Sequence, residues 1–143
     1  MTFVKTILSD LDLMEIQYDE HYDPGGNLLF ELYIRDSGNP LMIYSSQNPY
    51  NVLITFSVNY SHPNLTNIDI FERLKLKSQF KELGSKLMMR HILRLEENSI
   101  IFTIGIILNS KYYSPNELKP AIENLMKSYD LVMKQAIAII QEL

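Results

Sequence analysis

The chain has 143 residues, no cysteine and a formal net charge of −4. That length sits near the commonest size for one domain, so 1–143 reads as a single domain able to bury its core without staples. Without cysteine neither a disulfide nor a thiolate zinc site can form, which fits a reducing, cytoplasmic setting. Hydrophobic residues at 46% and charged residues at 21% exclude disorder as the main state. No stretch approaches the roughly 20 apolar residues that span a bilayer, and residues 1–10 lack the basic and apolar regions of a secretory signal. The sequons at Asn59 and Asn64 are therefore read as chance matches. An acidic chain is a poor phosphate binder, so neither nucleic acid nor membrane is expected as a partner.

The first segment reads as an amphipathic helix, with Val4, Ile7, Leu8 and Leu11 on one face. Asp23-Pro24-Gly25-Gly26 ends it in a turn. Three strands follow. In 28–35, Leu28, Phe30, Leu32 and Ile34 alternate with Leu29, Glu31, Tyr33 and Arg35, and 36–40 turns the chain. The run 41–46 is short and apolar, and 47–50 turns it. In 52–60, Val52, Ile54, Phe56, Val58 and Tyr60 alternate with Leu53, Thr55, Ser57 and Asn59, at the period of a strand. Short turns imply an antiparallel meander.

After a polar loop, Leu76, Phe80, Leu83 and Leu87 give a helical stripe. The stretch 88–95 fits two patterns: helix to about residue 94, which is favoured, or a strand turned by Glu96-Glu97-Asn98. Residues 100–108 read as a buried strand. Ser114-Pro115-Asn116-Glu117 resembles a capping box and opens a last helix, its first turns irregular at Pro120. Beyond it Leu118, Ile122, Leu125, Tyr129, Val132, Ala136, Ile139 and Leu143 recur at spacings of 4 and 3, and Ile122, Leu125, Tyr129 and Val132 are expected to face the sheet. The fold class is α+β, in the order α-β-β-β-α-β-α, an antiparallel sheet with helices mainly on one face.

This order and texture resemble the type III secretion chaperone-like fold, and within it uncharacterised archaeal proteins. The acidic first helix, the strand 27–35, the turn Ser46-Gln47-Asn48-Pro49 before 52–60, the helix through 83–88, and 101–110 running into 114–143 carry the resemblance. It implies a small, often homodimeric, protein-binding module. The best-known members bind unfolded segments of secreted proteins, a role that nothing in this sequence supports for this chain.

Charge is unevenly laid out. Residues 1–36 hold eight acids against Lys5 and Arg35, residues 73–94 hold seven bases against Glu82, and residues 37–68 hold no charged side chain. The basic run could bind RNA or anionic lipid, but its near cancellation with the acids favours internal or cross-dimer neutralisation. The uncharged run suggests strands covered on both faces, by helices, a second subunit or a partner, with Tyr33, Tyr44, Tyr50 and Tyr60 suited to such a surface.

No catalytic residue, cofactor or metal site is expected. Glu20-His21-Tyr22-Asp23 reads as a solvated acidic loop, His62 as a loop residue, and His91 as a partly buried helix or strand residue. Asp10, Asp12 and Glu15 read as a solvated helix face favourable to the helix dipole. The expected function is a non-enzymatic, chaperone-like or regulatory protein-binding homodimer, with Tyr44, Leu53, Met88, Met89 and Ile92 as its interaction surface. The alternative is a small-ligand-binding or enzymatic domain with a pocket between sheet and helices.

Overall fold

Period-2 alternation between short turns makes strands, and 4-and-3 spacing makes helices. The computed structural model describes residues 3–34, 41–45 and 48–143, so the expected turn at 36–40, Arg35 and Ser46-Gln47 lie outside the described residues. The elements are α1 (Phe3–Leu13), β1 (Gln17–Tyr22), β2 (Leu28–Tyr33), β3 (Leu41–Ser45), β4 (Asn51–Ser61), a 3₁₀ turn (Pro63–Asn67), α2 (Ile70–Lys86), β5 (Arg90–Leu95), β6 (Ser99–Asn109) and α3 (Pro115–Gln141). Among the described residues, the strands form one six-stranded sheet in the order β1-β2-β3-β4-β6-β5. The fold is α+β with an antiparallel sheet, as the sequence implies, but its order is α-β-β-β-β-α-β-β-α.

Two elements correct the expected order. Gln17–Tyr22 is a strand that takes in Glu20, His21 and Tyr22 of the expected solvated loop, although most of its side chains are exposed. Its apolar pattern is absent because pairing, not burial, builds it. The turn before β2 is closed by Asp23, which accepts from the Asn27 backbone N–H at 2.8 Å and its amide at 3.2 Å, while Gly26 takes a φ of 81°. Those hydrogen bonds, led by the backbone one, hold the Asp23 carboxyl below its usual range. Asp19 then accepts from Tyr33 Oη at 2.8 Å, and His21 Nε2 lies 2.9 Å from Glu31.

The second correction falls at 88–95, where β5 replaces the favoured helix. α2 ends at Lys86, Leu87 caps it, and Met88 takes a left-handed φ of 56° that a continuing helix cannot use. From there His91, Leu93 and Leu95 are half-buried while Arg90, Ile92 and Arg94 are exposed. Ser99 carbonyl accepts from Glu96 N–H at 2.9 Å to close the hairpin.

Contacts divide the chain into two compact units, Met1–Phe56 with Gly105–Met126, and Ser57–Ile104 with Lys127–Leu143. In the first unit Ile7, Leu11, Leu32, Leu41, Ile43, Ile54, Leu118, Ile122 and Leu125 are buried. In the second, Leu76, Phe80, Leu83, Ile100, Phe102, Val132 and Ala136 are buried, with the Phe80 and Phe102 ring centroids 5.0 Å apart. α3 supplies residues to both. It runs unbroken through Pro120, correcting the irregular start, because a proline so near the N-terminus forfeits a single ladder bond.

The packing of α2 on β5 has one tight point. A Cβ on Gly84 would sit 2.3 Å from the His91 ring, so the imidazole fills the space a side chain would need. Alanine usually stabilises a helix interior by about 1 kcal/mol relative to glycine. Here overpacking should win, and Gly84→Ala should destabilise by about 1–3 kcal/mol. In a His91→Ala background the same change should be neutral or stabilising, and a denaturant double-mutant cycle measures the reversal. In the first unit, Leu125→Ala should cost about 2–5 kcal/mol by the same titration, since the side chain is fully buried; a loss under about half a kcal/mol would remove it from the core.

Candidate functional site

Cross-strand register assembles the first surface. Leu29 pairs with Tyr44, and Tyr44 with Leu53, so the three form one row across β2, β3 and β4. Met42 stands between Glu31 and Thr55 in the next row. Alternation sets both rows opposite the buried Ile43 and Ile54. Tyr44, Leu53 and Met42 are half-buried, and Leu29 and Thr55 are buried. Gly105 keeps this side flat: a Cβ there would meet Thr55 Cγ2 at 2.8 Å and Leu53 Cδ1 at 3.1 Å. Burial, helped by the Asp23 charge, pushes the Tyr44 phenol above its ordinary range.

The remaining three expected residues lie in the second unit. Met88 is 93% exposed at the left-handed turn, Ile92 is 65% exposed on β5, and Met89 is half-buried between them. The five thus form two groups, Tyr44 with Leu53 in one unit and Met88, Met89 and Ile92 in the other. Also in the second unit, Ile70, Phe71 and Leu74 are exposed on α2. Of the bases at 73–94, Lys86 pairs with Glu82 and Arg94 with Glu96, both within that unit. The expected neutralisation by the N-terminal acids is therefore not realised by ion pairs among the described residues of one chain.

The histidines have local roles. His21 is strand-borne and paired with Glu31, His62 Nδ1 accepts from Asn64 N–H at 3.1 Å to cap the 3₁₀ turn, and the His91 ring packs beside Phe102. Among the described residues no three His, Cys, Asp or Glu side chains are grouped to hold a metal, and no helix is long and apolar enough to cross a membrane.

A feature the sequence reading missed is a cleft of about 620 Å³ in the first unit, lined by Phe3, Thr6, Asp10, Pro49, Tyr50, Ser110, Tyr113 and Pro115. Two asparagine-built turns form its rim. Asn48 accepts from Tyr50 N–H at 3.0 Å, Asn109 accepts from Lys111 N–H at 2.9 Å, and the Tyr50 carbonyl accepts from Ser110 N–H at 2.8 Å. Tyr113 donates to the Asp10 carboxylate, and its ring meets Phe3 edge-on at 5.2 Å. Asp10 is thus half-buried, not on a solvated face. The dipole argument for the α1 acids is also reversed: α1 has no acid in its first turn, and Asp10 and Asp12 stand in its last. The Asp10–Tyr113 pair joins residues 103 apart, a separation that leaves no local signal.

Burial first, then the bond to Asp10, raises the Tyr113 phenol above its ordinary 10.0. A raised native pKa means that the unfolded phenol ionises first, so this stabilisation is complete below pH 10 and is lost as pH rises toward the native value. Across the alkaline range above about pH 10, wild type should lose stability more steeply than Tyr113→Phe, measured as denaturant midpoints at successive pH values. Parallel slopes would contradict the assignment.

No family model matches the chain, and no curated protein matches it. Among solved structures it is similar to an uncharacterised protein from Methanothermobacter thermautotrophicus, with a TM-score of 0.64, 14% sequence identity and 96% of each chain covered. At that identity the likeness is one of fold.

Proposed function

We propose that the chain is a non-enzymatic protein-binding module of the type III secretion chaperone-like kind, chaperone-like or regulatory in action, working in the cytoplasm as a homodimer. The row Leu29, Tyr44 and Leu53 carries this reading. β3 and β4 present no charged side chain, and the row Leu29, Tyr44 and Leu53, with Met42 beside it, is apolar or tyrosine-tipped between Glu31 on one side and Thr55 on the other, where a solvated sheet face alternates with polar residues. Tyrosine supplies apolar area with one polar tip, the composition of surfaces that exchange water for protein. A second copy covers such a face at least cost in new design, because a twofold contact uses the same patch twice.

Light scattering at micromolar concentration should give about twice the chain mass of 16.7 kDa. Leu53→Asp should return the mass to one chain, with circular dichroism reporting the retained fold. If Leu53→Asp leaves the dimer intact and Ile92→Asp splits it, the contact uses the second group of residues. A wild-type mass of one chain that does not rise with concentration would rule out the homodimer.

A further inference from the structure

The cleft around Asp10 combines features that the protein-binding reading does not use, and its ligand chemistry is independent of the homodimer. Three of its walls are aromatic: Phe3, Tyr50 and Tyr113. Its charged group is Asp10, half-buried, with one carboxylate oxygen taken by the Tyr113 hydroxyl. No described base forms an ion pair with Asp10; the ion pairs among the described residues involve Glu31, Glu82 and Glu96. Lys111, two residues before Tyr113, lies instead over the Tyr112 ring at 5.5 Å from its centroid.

The surroundings add further negative potential. Asp10 stands in the last turn of α1, which carries no base there, so the carbonyl end of the helix dipole reinforces the carboxylate. The Glu117 charge also acts on Tyr113. A carboxylate drawn partly out of water without a counter-cation is unfavourable, and aromatic faces attract a cation that has itself shed water. A hard metal ion needs several oxygen ligands, which one carboxylate among rings does not offer. A soft, weakly hydrated organic cation needs one carboxylate and π faces.

We propose that this cleft binds an organic ammonium group, with Asp10 as its counter-ion and Phe3, Tyr50 and Tyr113 as an aromatic cage. The volume of about 620 Å³ exceeds what the head group fills, so the rest of the cleft, past Pro49, Ser110 and Pro115, takes the substituent that carries it. The head group could belong to a free quaternary amine or to a methylated lysine side chain. Both present the same cation.

Titrating the 143-residue chain with choline chloride, followed by NMR shifts and melting temperature, tests the site. Sodium chloride at equal ionic strength and the neutral isostere 3,3-dimethylbutan-1-ol serve as controls, and a trimethyllysine peptide is the second arm. Saturable binding of choline or of the peptide is expected, with the isostere about tenfold weaker or more. Binding by the peptide alone would assign the head group to a side chain. Asp10→Asn, whose amide oxygen can still accept from Tyr113, should weaken the cation about tenfold or more. Tyr50→Leu serves as the second variant because Tyr50 is 65% exposed and contributes little to folding; it should weaken the cation several-fold. The proposal fails if neither cation saturates below about 10 mM, if the isostere binds as well, or if both variants bind like wild type.

Discussion

The apolar stripe of α3 is the constraint on which the rest depends. Leu118, Ile122 and Leu125 close the core of the first unit, and Val132, Ala136 and Ile140 are buried in the second. One helix thus supplies an apolar face to both cores. Spacings of 4 and 3 keep those side chains on one side over 27 residues. Residues off the stripe, such as Glu123, Asn124 and Lys134, are exposed. β4 and β6 likewise contribute residues to each unit.

The second unit depends on close approach as well as on apolar area. Gly84 lets the His91 ring lie against the α2 backbone, and Phe102 and Phe80 continue the ring contacts. Its outward positions are Ser57 and Thr103, whose hydroxyls are 2.7 Å apart, with Asn59 exposed. The corresponding side of the first unit is Leu53 and Thr55 packed over Gly105. β4 therefore changes character along its length, from Leu53 to the polar side chains of Thr55, Ser57 and Asn59. That change is why the proposed protein-binding surface is set on the row through Tyr44 and Leu53.

Charge follows a different logic from the one its totals suggest. The acidic and basic segments nearly cancel each other, yet the close acid–base contacts among the described residues are local: His21 with Glu31, Lys86 with Glu82, Arg94 with Glu96. Exposed pairs of that kind contribute little to stability. The N-terminal acids instead make hydrogen bonds to neutral groups. Asp19 holds Tyr33, pushing its phenol to about 12, and Asp10 holds Tyr113.

The sequence by itself determined the elements whose signal is local. The alternation of Val52 to Tyr60 and the spacing from Leu118 to Ala136 each encode which side is buried, because side-chain direction repeats at 2 residues in a strand and 3.6 in a helix. From these the α+β class followed. β1 carried no such signal, since all its side chains but Tyr18 are exposed and pairing with β2 makes it a strand. The stretch 88–95 satisfied both periods, and the choice fell to Met88, which leaves the helix at positive φ, and to the space Gly84 leaves for His91. The surface residues were legible as uncharged positions, but that Tyr44 and Leu53 stand directly opposite is a matter of register. The Asp10 cleft was not legible at all: its parts come from α1, from the turn before β4 and from the approach to α3, and only the tertiary fold brings a carboxylate and three rings from those segments to one place.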